Sequence, residues 1–228
     1  MRAPVSVVIP TLNAEAELGP CLARLGEGLE AGILRELVIS DGGSTDATRT
    51  IAEAAGALWV AGPPGRGGQL ARGVAATGGD WLLVLHADTT LSPGWSGAVL
   101  DRLKVGRPGY FRLRFRARGL APAWVAGWAN LRAALFGLPF GDQGLLVSRA
   151  DYDSAGGYPE IPLMEDMALA RGLRRKGTRP RPLDATAETG AERYLARGWL
   201  GQGAANLWRQ ARFLAGADPA ELARGYKG

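Results

Sequence analysis

An acidic residue follows an apolar run at the point where a buried strand is expected to end. The run at positions 82–85 reads Leu-Leu-Val-Leu, without polar alternation, which is typical of a parallel strand covered on both faces. His86, Ala87 and Asp88 come next, and ligands of open α/β sheets bind beyond the carboxyl ends of such strands. Asp88 is therefore placed to hold a divalent cation, although an Asp in this position also starts turns or caps helices.

Four further segments carry side chains suited to binding or proton transfer. Segment 41–46 reads Asp-Gly-Gly-Ser-Thr-Asp after a predicted strand, and Glu165-Asp166 opens an amphipathic helical pattern. Segment 65–68, Gly-Arg-Gly-Gly, is predicted to be a loop before a helix, yet it lacks the glycine spacings of the common phosphate-binding loops. Segment 141–144, Gly-Asp-Gln-Gly, either offers Asp142 and Gln143 to a hydroxyl group or forms a simple turn.

Strands and helices alternate through the first hundred residues. This order predicts a mostly parallel sheet wrapped by helices, an α/β fold. The predicted strands are 5–9, 37–40, 58–61 and 82–85, and the predicted helices are 14–25, a helix ending at 56, and 69–77.

The second half of the chain changes character. Segment 110–116 alternates Phe, Leu and Phe with Arg, which predicts an antiparallel strand with one wet face. Helices are expected at 121–136 and 165–176, a short strand at 145–148, and a helical tail from Arg193.

Composition narrows the class of protein. The 228 residues, 46% hydrophobic, suffice for one globular domain, and the single cysteine, Cys21, excludes an internal disulfide and any multi-cysteine metal cluster. Because no apolar leader precedes the first strand and no segment is apolar enough to span a bilayer, we expect a cytoplasmic protein. The net charge of +5 suits nucleic acid, an anionic membrane or a phosphorylated substrate equally well.

Taken together, segments 5–13, 41–46, 86–88 and 165–166 resemble the glycosyltransferases of family 2, which have the GT-A fold. The resemblance implies a Rossmann-like, mostly parallel sheet flanked by helices, with a nucleotide-sugar-binding and catalytic domain at 1–190. Residues 191–228 are then a helical extension packed on the same domain. It also implies inverting transfer of a sugar from a nucleotide diphosphate donor, a UDP-sugar, to a hydroxyl acceptor. The Gln-x-x-Arg-Trp segment of polymerising relatives is not matched at Arg197-Gly198-Trp199, which predicts non-processive transfer.

The same resemblance implies roles for residues near the donor. Asp88 is the ligand of Mn²⁺ or Mg²⁺, and His86 replaces the first acid of the usual Asp-X-Asp motif. His86 then contacts the donor's ribose or phosphate, supplies a nitrogen ligand, or is structural. Thr11 and Asp41 line the base pocket, unless Asp41 only forms a turn, and Arg66 contacts the base or diphosphate, unless it is an exposed loop residue.

The resemblance assigns the reaction to the acidic pair at the helix start. Asp166 is the base that deprotonates the acceptor hydroxyl, and Glu165 orients it. Two acids at a helix N-terminus are also a common stabilising arrangement. Asp142 and Gln143 lie on the acceptor side.

The sequence also allows two other functions, and one predicted apolar helical face has more than one possible role. A nucleotidyltransferase would have a basic glycine-rich loop after the first strand, where this chain has Thr-Leu-Asn, and a basic nucleic-acid-binding protein would interleave aromatic and basic residues. Trp124, Trp128, Leu131 and Leu135 share one predicted helical face. That face packs into the core or a second subunit, or lies on the inner face of the cell membrane, which would favour a lipid-linked acceptor.

Overall fold

One mixed sheet passes through the part of the chain that the computed structural model describes, residues 3–224. Its strands, in chain order, are β1 (Val5–Thr11), β2 (Leu34–Asp41), β3 (Leu58–Ala61), β4 (Trp81–Val84), β5 (Thr90–Leu91), β6 (Gly109–Phe115), β7 (Leu145–Ser148) and β8 (Arg181–Thr189). They lie side by side in the order β3-β2-β1-β4-β7-β6-β8-β5.

Helices follow most of the strands. They are α1 (Glu15–Glu30), α2 (Thr48–Ala54), α3 (Arg66–Ala75), α4 (Trp95–Val105), α5 (Leu120–Phe136), α6 (Arg149–Ser154), α7 (Glu165–Arg175), α8 (Glu192–Arg197), α9 (Trp199–Leu214) and α10 (Pro219–Arg224). A short 3-10 helix, Gly141–Gln143, precedes β7. Within residues 3–224 no helix has both the length and the apolar character needed to cross a bilayer.

The predicted alternation of strands and helices is confirmed. Strand β1 pairs in parallel with β2 and β4, and β2 pairs in parallel with β3. The prediction for β6 was half right, because it runs antiparallel to β7 but parallel to β8. Strands β8 and β5 were not predicted; β8 lies between β6 and the two-residue edge strand β5.

Side chains of β1 alternate between the two faces of the sheet, as the geometry of a strand requires. Val7 and Ile9 belong to the core layer that contains helices α1 and α4, whereas Val8 belongs to the layer that contains α3 and α7. All three are fully buried. The sheet is therefore covered on both faces, which explains the uninterrupted apolar run of β4.

The C-terminal helices pack against the end of strand β6. The ring of Phe115, the last residue of β6, lies 4.9 Å from that of Tyr194 and 5.1 Å from that of Trp199. Helix α9 also contacts α5. Tyr194 of α8 and Trp199 of α9 therefore contact the end of β6, whereas the last four residues of the extension predicted at 191–228 lie outside the described residues.

Helix α3 begins three residues before the predicted start, so most of the glycine-rich segment is helix and not loop. Gly65 precedes the helix with φ = 142°, a conformation that residues with a side chain rarely adopt. A Cβ on Gly67 would lie 2.2 Å from the carbonyl oxygen of Pro159. The glycines thus let the first turn of α3 approach the segment that leads into α7.

Gln69 joins that first turn to the ends of two strands. Its side chain is 5% exposed, and Nε2 donates to the carbonyl oxygens of Thr11 (2.7 Å) and Ser40 (3.0 Å). Its Oε1 accepts from the N–H of Gly65. Gln69, the first residue of the helix predicted at 69–77, therefore links α3 to the carboxyl ends of β1 and β2.

Gln69→Leu is expected to lower the free energy of unfolding by about 1–3 kcal/mol, because buried carbonyl oxygens lose their donor. Urea denaturation monitored by circular dichroism measures the change. Thr50→Leu, at an exposed position of α2, is the control and should stay within about 0.5 kcal/mol of wild type. An equally small effect for Gln69→Leu would show that the amide is not needed to hold this edge.

Candidate active site

The carboxyl ends of β1, β2 and β3 lie level with each other. Thr11 is the register partner of Asp41, and Asp41 is the partner of Ala61. Strand β4 lies on the other side of β1 and ends at Val84, so His86 and Asp88 follow at the same edge. Thr11, Asp41, His86 and Asp88 therefore lie at the carboxyl ends of neighbouring strands, where ligands of α/β sheets bind.

The Asp41 carboxylate closes the loop that follows β2. Its Oδ1 accepts from the hydroxyls of Thr11 and Ser44, and its Oδ2 accepts from the N–H groups of Gly43 (2.7 Å) and Ser44 (2.8 Å). Burial raises the pKa of Asp41, but these hydrogen bonds lower it below its ordinary value. Asp41 is thus an ionised loop-forming residue beside Thr11, and its contact with a nucleotide base stays a prediction.

Asp88 has one carboxylate oxygen without a partner. Its Oδ2 accepts from the hydroxyl of Thr189 (3.2 Å), at the end of β8, whereas its Oδ1 is buried and accepts no hydrogen bond from residues 3–224. Arg116 donates to the backbone oxygen of Asp88 (2.8 Å). A buried oxygen without a donor is costly for an ionised carboxylate, and a cation would satisfy it.

The described residues do not bring three or more His, Cys, Asp or Glu side chains together as a metal-binding group. A cation at Asp88 would therefore take most of its ligands from a substrate and from water, as Mg²⁺ commonly does with phosphates. The donor chemistry of Asp88 fits such a cation.

His86 is buried between Asp142 and the backbone of Gly141. Its Nδ1 lies 3.2 Å from Oδ1 of Asp142, and its Nε2 is buried without a partner among the described residues. Burial and the charge of Arg66 lower the pKa of His86, but the hydrogen bond and charge of Asp142, together with the charge of Asp166, outweigh them and raise it. Burial raises the pKa of Asp142, but the His86 hydrogen bond and the charges of His86, Arg66 and Arg193 together lower it below its ordinary value. Asp142 therefore orients and charges His86.

Gly141 leaves room for two functional side chains. A Cβ at this position would lie 2.1 Å from Nε2 of His86 and 2.7 Å from Oδ2 of Asp166. The Gly141 N–H donates to Oδ2 of Asp166 (3.0 Å). The prediction that glycines here permit a close backbone approach is confirmed for this position.

Asp166 is the carboxylate of the acidic pair that remains accessible. It is half-buried at the start of α7, and the residue before the pair, Met164, has φ = 70°, a strained conformation of the kind often found at functional sites. Burial raises the pKa of Asp166, and the charges of His86 and Arg66 only partly lower it, so it lies above its ordinary value. A higher pKa makes Asp166 a stronger base.

Glu165, unlike Asp166, is buried, and it is paired with Arg66. Its side chain is 1% exposed, neither oxygen accepts a hydrogen bond within residues 3–224, and Oε1 lies 3.6 Å from Nε of Arg66. Arg66 is in the first turn of α3 and 35% of its side chain is exposed. The alternative of an unattached loop arginine is therefore wrong, since Glu165 holds Arg66 beside the acidic residues of the site.

Gln143 differs from the sequence-based expectation. It is 1% exposed, its Oε1 accepts from the N–H of Phe140, and its Nε2 donates to Asn130. Because both ends of the amide are engaged inside the protein, Gln143 supports the loop and does not face an acceptor. Asp142, with 46% of its side chain exposed, is the residue of this pair that reaches the surface.

Glu165 makes the stability of the fold depend on pH. Burial, reinforced by the nearby charge of Asp166, raises its pKa from 4.5 to about 7. The folded state then binds a proton that the unfolded state has already released. This contribution to stability is complete below the unfolded pKa and is lost as pH rises from about 4.5 through 7.

Glu165→Gln, which resembles the protonated acid, should remove this dependence. We expect wild type to lose on the order of 1–3 kcal/mol of unfolding free energy relative to the variant between pH 5 and pH 7.5. Urea denaturation across that range measures it, with Glu53→Gln on the exposed side of α2 as the control. Parallel pH profiles for wild type and Glu165→Gln would contradict the prediction.

Comparisons with known proteins show the family to which the chain belongs. The profile described as glycosyl transferase family 2 matches residues 6–131, more than half of the 228 residues. A glucosyl-3-phosphoglycerate synthase of Mycolicibacterium smegmatis is 39% identical over 93 residues, 37% of this chain and 30% of that protein. An uncharacterized glycosyltransferase of Mycobacterium tuberculosis is 33% identical over 123 residues, 54% of each chain. The chain thus spans only about a third to a half of these curated relatives.

Solved structures show the same architecture. Glucosyl-3-phosphoglycerate synthase from Mycobacterium tuberculosis, in complex with Mn²⁺, UDP and phosphoglyceric acid, superposes with a TM-score of 0.56. That match has 26% identity and covers 82% of this chain and 69% of that one. The same enzyme in complex with Mg²⁺ and UDP gives a TM-score of 0.55 at 25% identity, covering 82% and 69%. With this sheet order, these strand-end residues and the matched profile, the chain belongs to glycosyltransferase family 2 and has the GT-A fold.

Proposed function

We propose that this protein transfers a sugar from a nucleotide diphosphate donor, a UDP-sugar, to a hydroxyl acceptor with inversion at the anomeric carbon. The observation that carries the proposal is the combination of the unpartnered oxygen of Asp88 with the accessible carboxylate of Asp166 at one edge of a family 2 fold. Those are the two parts that such a transfer needs, a cation site for the leaving diphosphate and a base for the acceptor.

Asp88 would hold Mn²⁺ or Mg²⁺, the cations bound with UDP in the mycobacterial relative. When bound, the cation supplies positive charge that stabilises the departing diphosphate. Thr189 keeps Asp88 oriented through its hydroxyl, and Arg66, held by Glu165, adds a second positive charge on this side of the site. Arg66 therefore contacts the diphosphate in this proposal.

Thr11 and Asp41 border the proposed base pocket at the ends of β1 and β2. His86 fills the place of the first acid of the family motif. Because Asp142 holds its Nδ1 and favours the charged imidazolium, His86 suits contact with an anionic oxygen of the donor better than direct binding of a metal.

Asp166 would remove the proton from the acceptor hydroxyl. Gly141 fixes Oδ2 through its N–H, and Oδ1 is the oxygen proposed to accept the proton. Glu165 is too deeply buried to meet an acceptor and acts on Asp166 through charge. Asp142 lies on the acceptor side, and the acceptor is proposed to be lipid-linked.

Product analysis separates this function from its rivals. Incubation with UDP-glucose, UDP-galactose and UDP-N-acetylglucosamine in Mn²⁺ should release UDP, by transfer or by slow hydrolysis, and chelation should stop the release. Consumption of added pyrophosphate, with formation of UTP and a sugar 1-phosphate, would identify a nucleotidyltransferase. Salt-sensitive binding of RNA without any binding of UDP would identify a nucleic-acid-binding protein.

A further inference from the structure

A groove of about 580 Å³ lies among helices α5, α7 and α9, away from the strand ends. Its floor and walls are largely apolar. The apolar residues include Trp128, Phe136, Leu138, Met167, Leu207 and Leu214. Met167 follows Asp166 directly in the chain, so the groove adjoins the segment that carries the proposed base.

The outer face of α5 continues this apolar surface into solvent. Trp124 is 62% exposed, Trp128 44%, Leu131 49% and Leu135 58%. The predicted sharing of one helical face is confirmed, but packing of that face into the core is wrong. Trp208 of α9 adds another exposed large side chain, at 67%. Exposed apolar side chains at this density mark a surface that binds something apolar.

Arginines border the groove on the same side. Arg132, Arg171, Arg174 and Arg175 line it, and none of them forms an ion pair with an acidic side chain within the described range. The residues that line the groove include these four arginines and no Asp or Glu. The apolar groove is therefore bordered by positive charge.

The side chain of Arg132 has unpaired hydrogen-bond donors in the wall of the groove. Its Nη1 donates to Oε1 of Gln210 (3.1 Å), and its guanidinium stacks on the ring of Phe140 at 3.8 Å. Its Nε and Nη2 are buried without a hydrogen-bond partner among the described residues. Two buried donors on a cation are costly unless an anion meets them, and a planar guanidinium suits phosphate oxygens.

We infer that this groove and the exposed face of α5 bind a phosphate-headed lipid at the surface of an anionic bilayer. The hydrocarbon chain would cover the apolar residues, while the phosphate meets Arg132 and the neighbouring arginines supply charge attraction. A second copy of the chain fits poorly, because a symmetric pairing would bring two arginine-lined grooves together.

Vesicle flotation of the full chain tests the inference. We expect co-flotation with vesicles of phosphatidylcholine and phosphatidylglycerol at low salt, little with phosphatidylcholine alone, and loss of binding at about 1 M NaCl. Arg174→Glu combined with Arg175→Glu should lower the partition coefficient at least about tenfold. Trp124→Ser combined with Trp128→Ser should lower it as well.

Arg24→Glu combined with Lys104→Glu is the matched control. It changes the net charge equally at exposed positions of α1 and α4, helices that pack on the other face of the sheet, and should leave vesicle binding within about twofold of wild type. Absence of co-flotation, equal binding to neutral vesicles, equal loss in the control, or a dimer that the tryptophan variant disrupts would overturn the inference.

Calorimetry of UDP with Mn²⁺ on the same preparations keeps the two proposals apart. Intact UDP binding without vesicle binding would remove the lipid site and leave the proposed function standing. Vesicle binding without UDP binding would contradict the proposed function and leave the lipid site standing. Intact UDP binding in the arginine and tryptophan variants also shows that they are folded.

Discussion

Asp166→Asn should reduce sugar-transfer turnover by about 10² to 10⁴, the usual loss when a general base is removed. The amide keeps the shape of the side chain, and its oxygen still accepts the hydrogen bond from Gly141. Its nitrogen, however, has no lone pair for the acceptor's proton. Since Asp166 does not contact the proposed cation site, we expect the affinity for UDP with Mn²⁺ to stay within about threefold of wild type.

Single-turnover rates measure the loss of turnover, and calorimetry on the same preparation measures the affinity for UDP. Asp101→Asn, a carboxylate exposed on α4, is the control and should change neither. Wild-type turnover in Asp166→Asn would place the base elsewhere. Lost UDP affinity with unchanged turnover of bound donor would instead make Asp166 a donor-binding residue.

Local sequence patterns predicted several strands and helices well. Strand β3 and strand β7 begin and end where their apolar runs do, and α7 begins at Glu165 as its helical pattern indicated. These elements are specified by periodicity and by adjacent turn residues, which are local properties of the chain.

Strand β8 shows where such patterns become weak. Its buried positions do alternate, with Leu183, Ala185, Ala187 and Thr189 facing inward. Two of those residues are alanines, which have low strand propensity, and Pro182 interrupts the pattern near its start. The alternating pattern of a strand was therefore present in the sequence, but it was weak because half of its inward-facing residues are small. Missing β8 also meant missing Thr189, the residue that orients Asp88.

The glycine-rich segment before α3 was misread for a different reason. Glycine disfavours helices in isolation, so Gly67 and Gly68 predicted a loop. In the fold, only glycine at 67 lets the helix approach Pro159 and brings Arg66 near Glu165. Tertiary packing outweighs local propensity there, and no local pattern encodes a contact between residues so distant in the chain.

The second large effect is expected at Asp88. In wild type, Mn²⁺ should raise the affinity for UDP. Asp88→Asn should reduce that gain in affinity by about 10- to 100-fold or more. Removing residues that only orient metal ligands already lowers metal affinity by about this factor, so removal of a ligand should cost at least as much. The amide lacks the negative charge that a hard cation requires. Titration of UDP in Mn²⁺, in Mg²⁺ and in chelator gives the metal-dependent gain directly.

Asp80→Asn is the closest matched control for Asp88→Asn. Asp80 is the same type of residue beside the same strand, but it is exposed at the opposite end of β4. It should leave the gain from Mn²⁺ unchanged. Thr189→Val should reduce the gain by a smaller factor, since it removes only the hydroxyl that orients the Asp88 carboxylate. If UDP binds equally well with and without the cation in all four proteins, Asp88 is not a metal ligand, and its buried oxygen must be satisfied by a donor from the substrate itself.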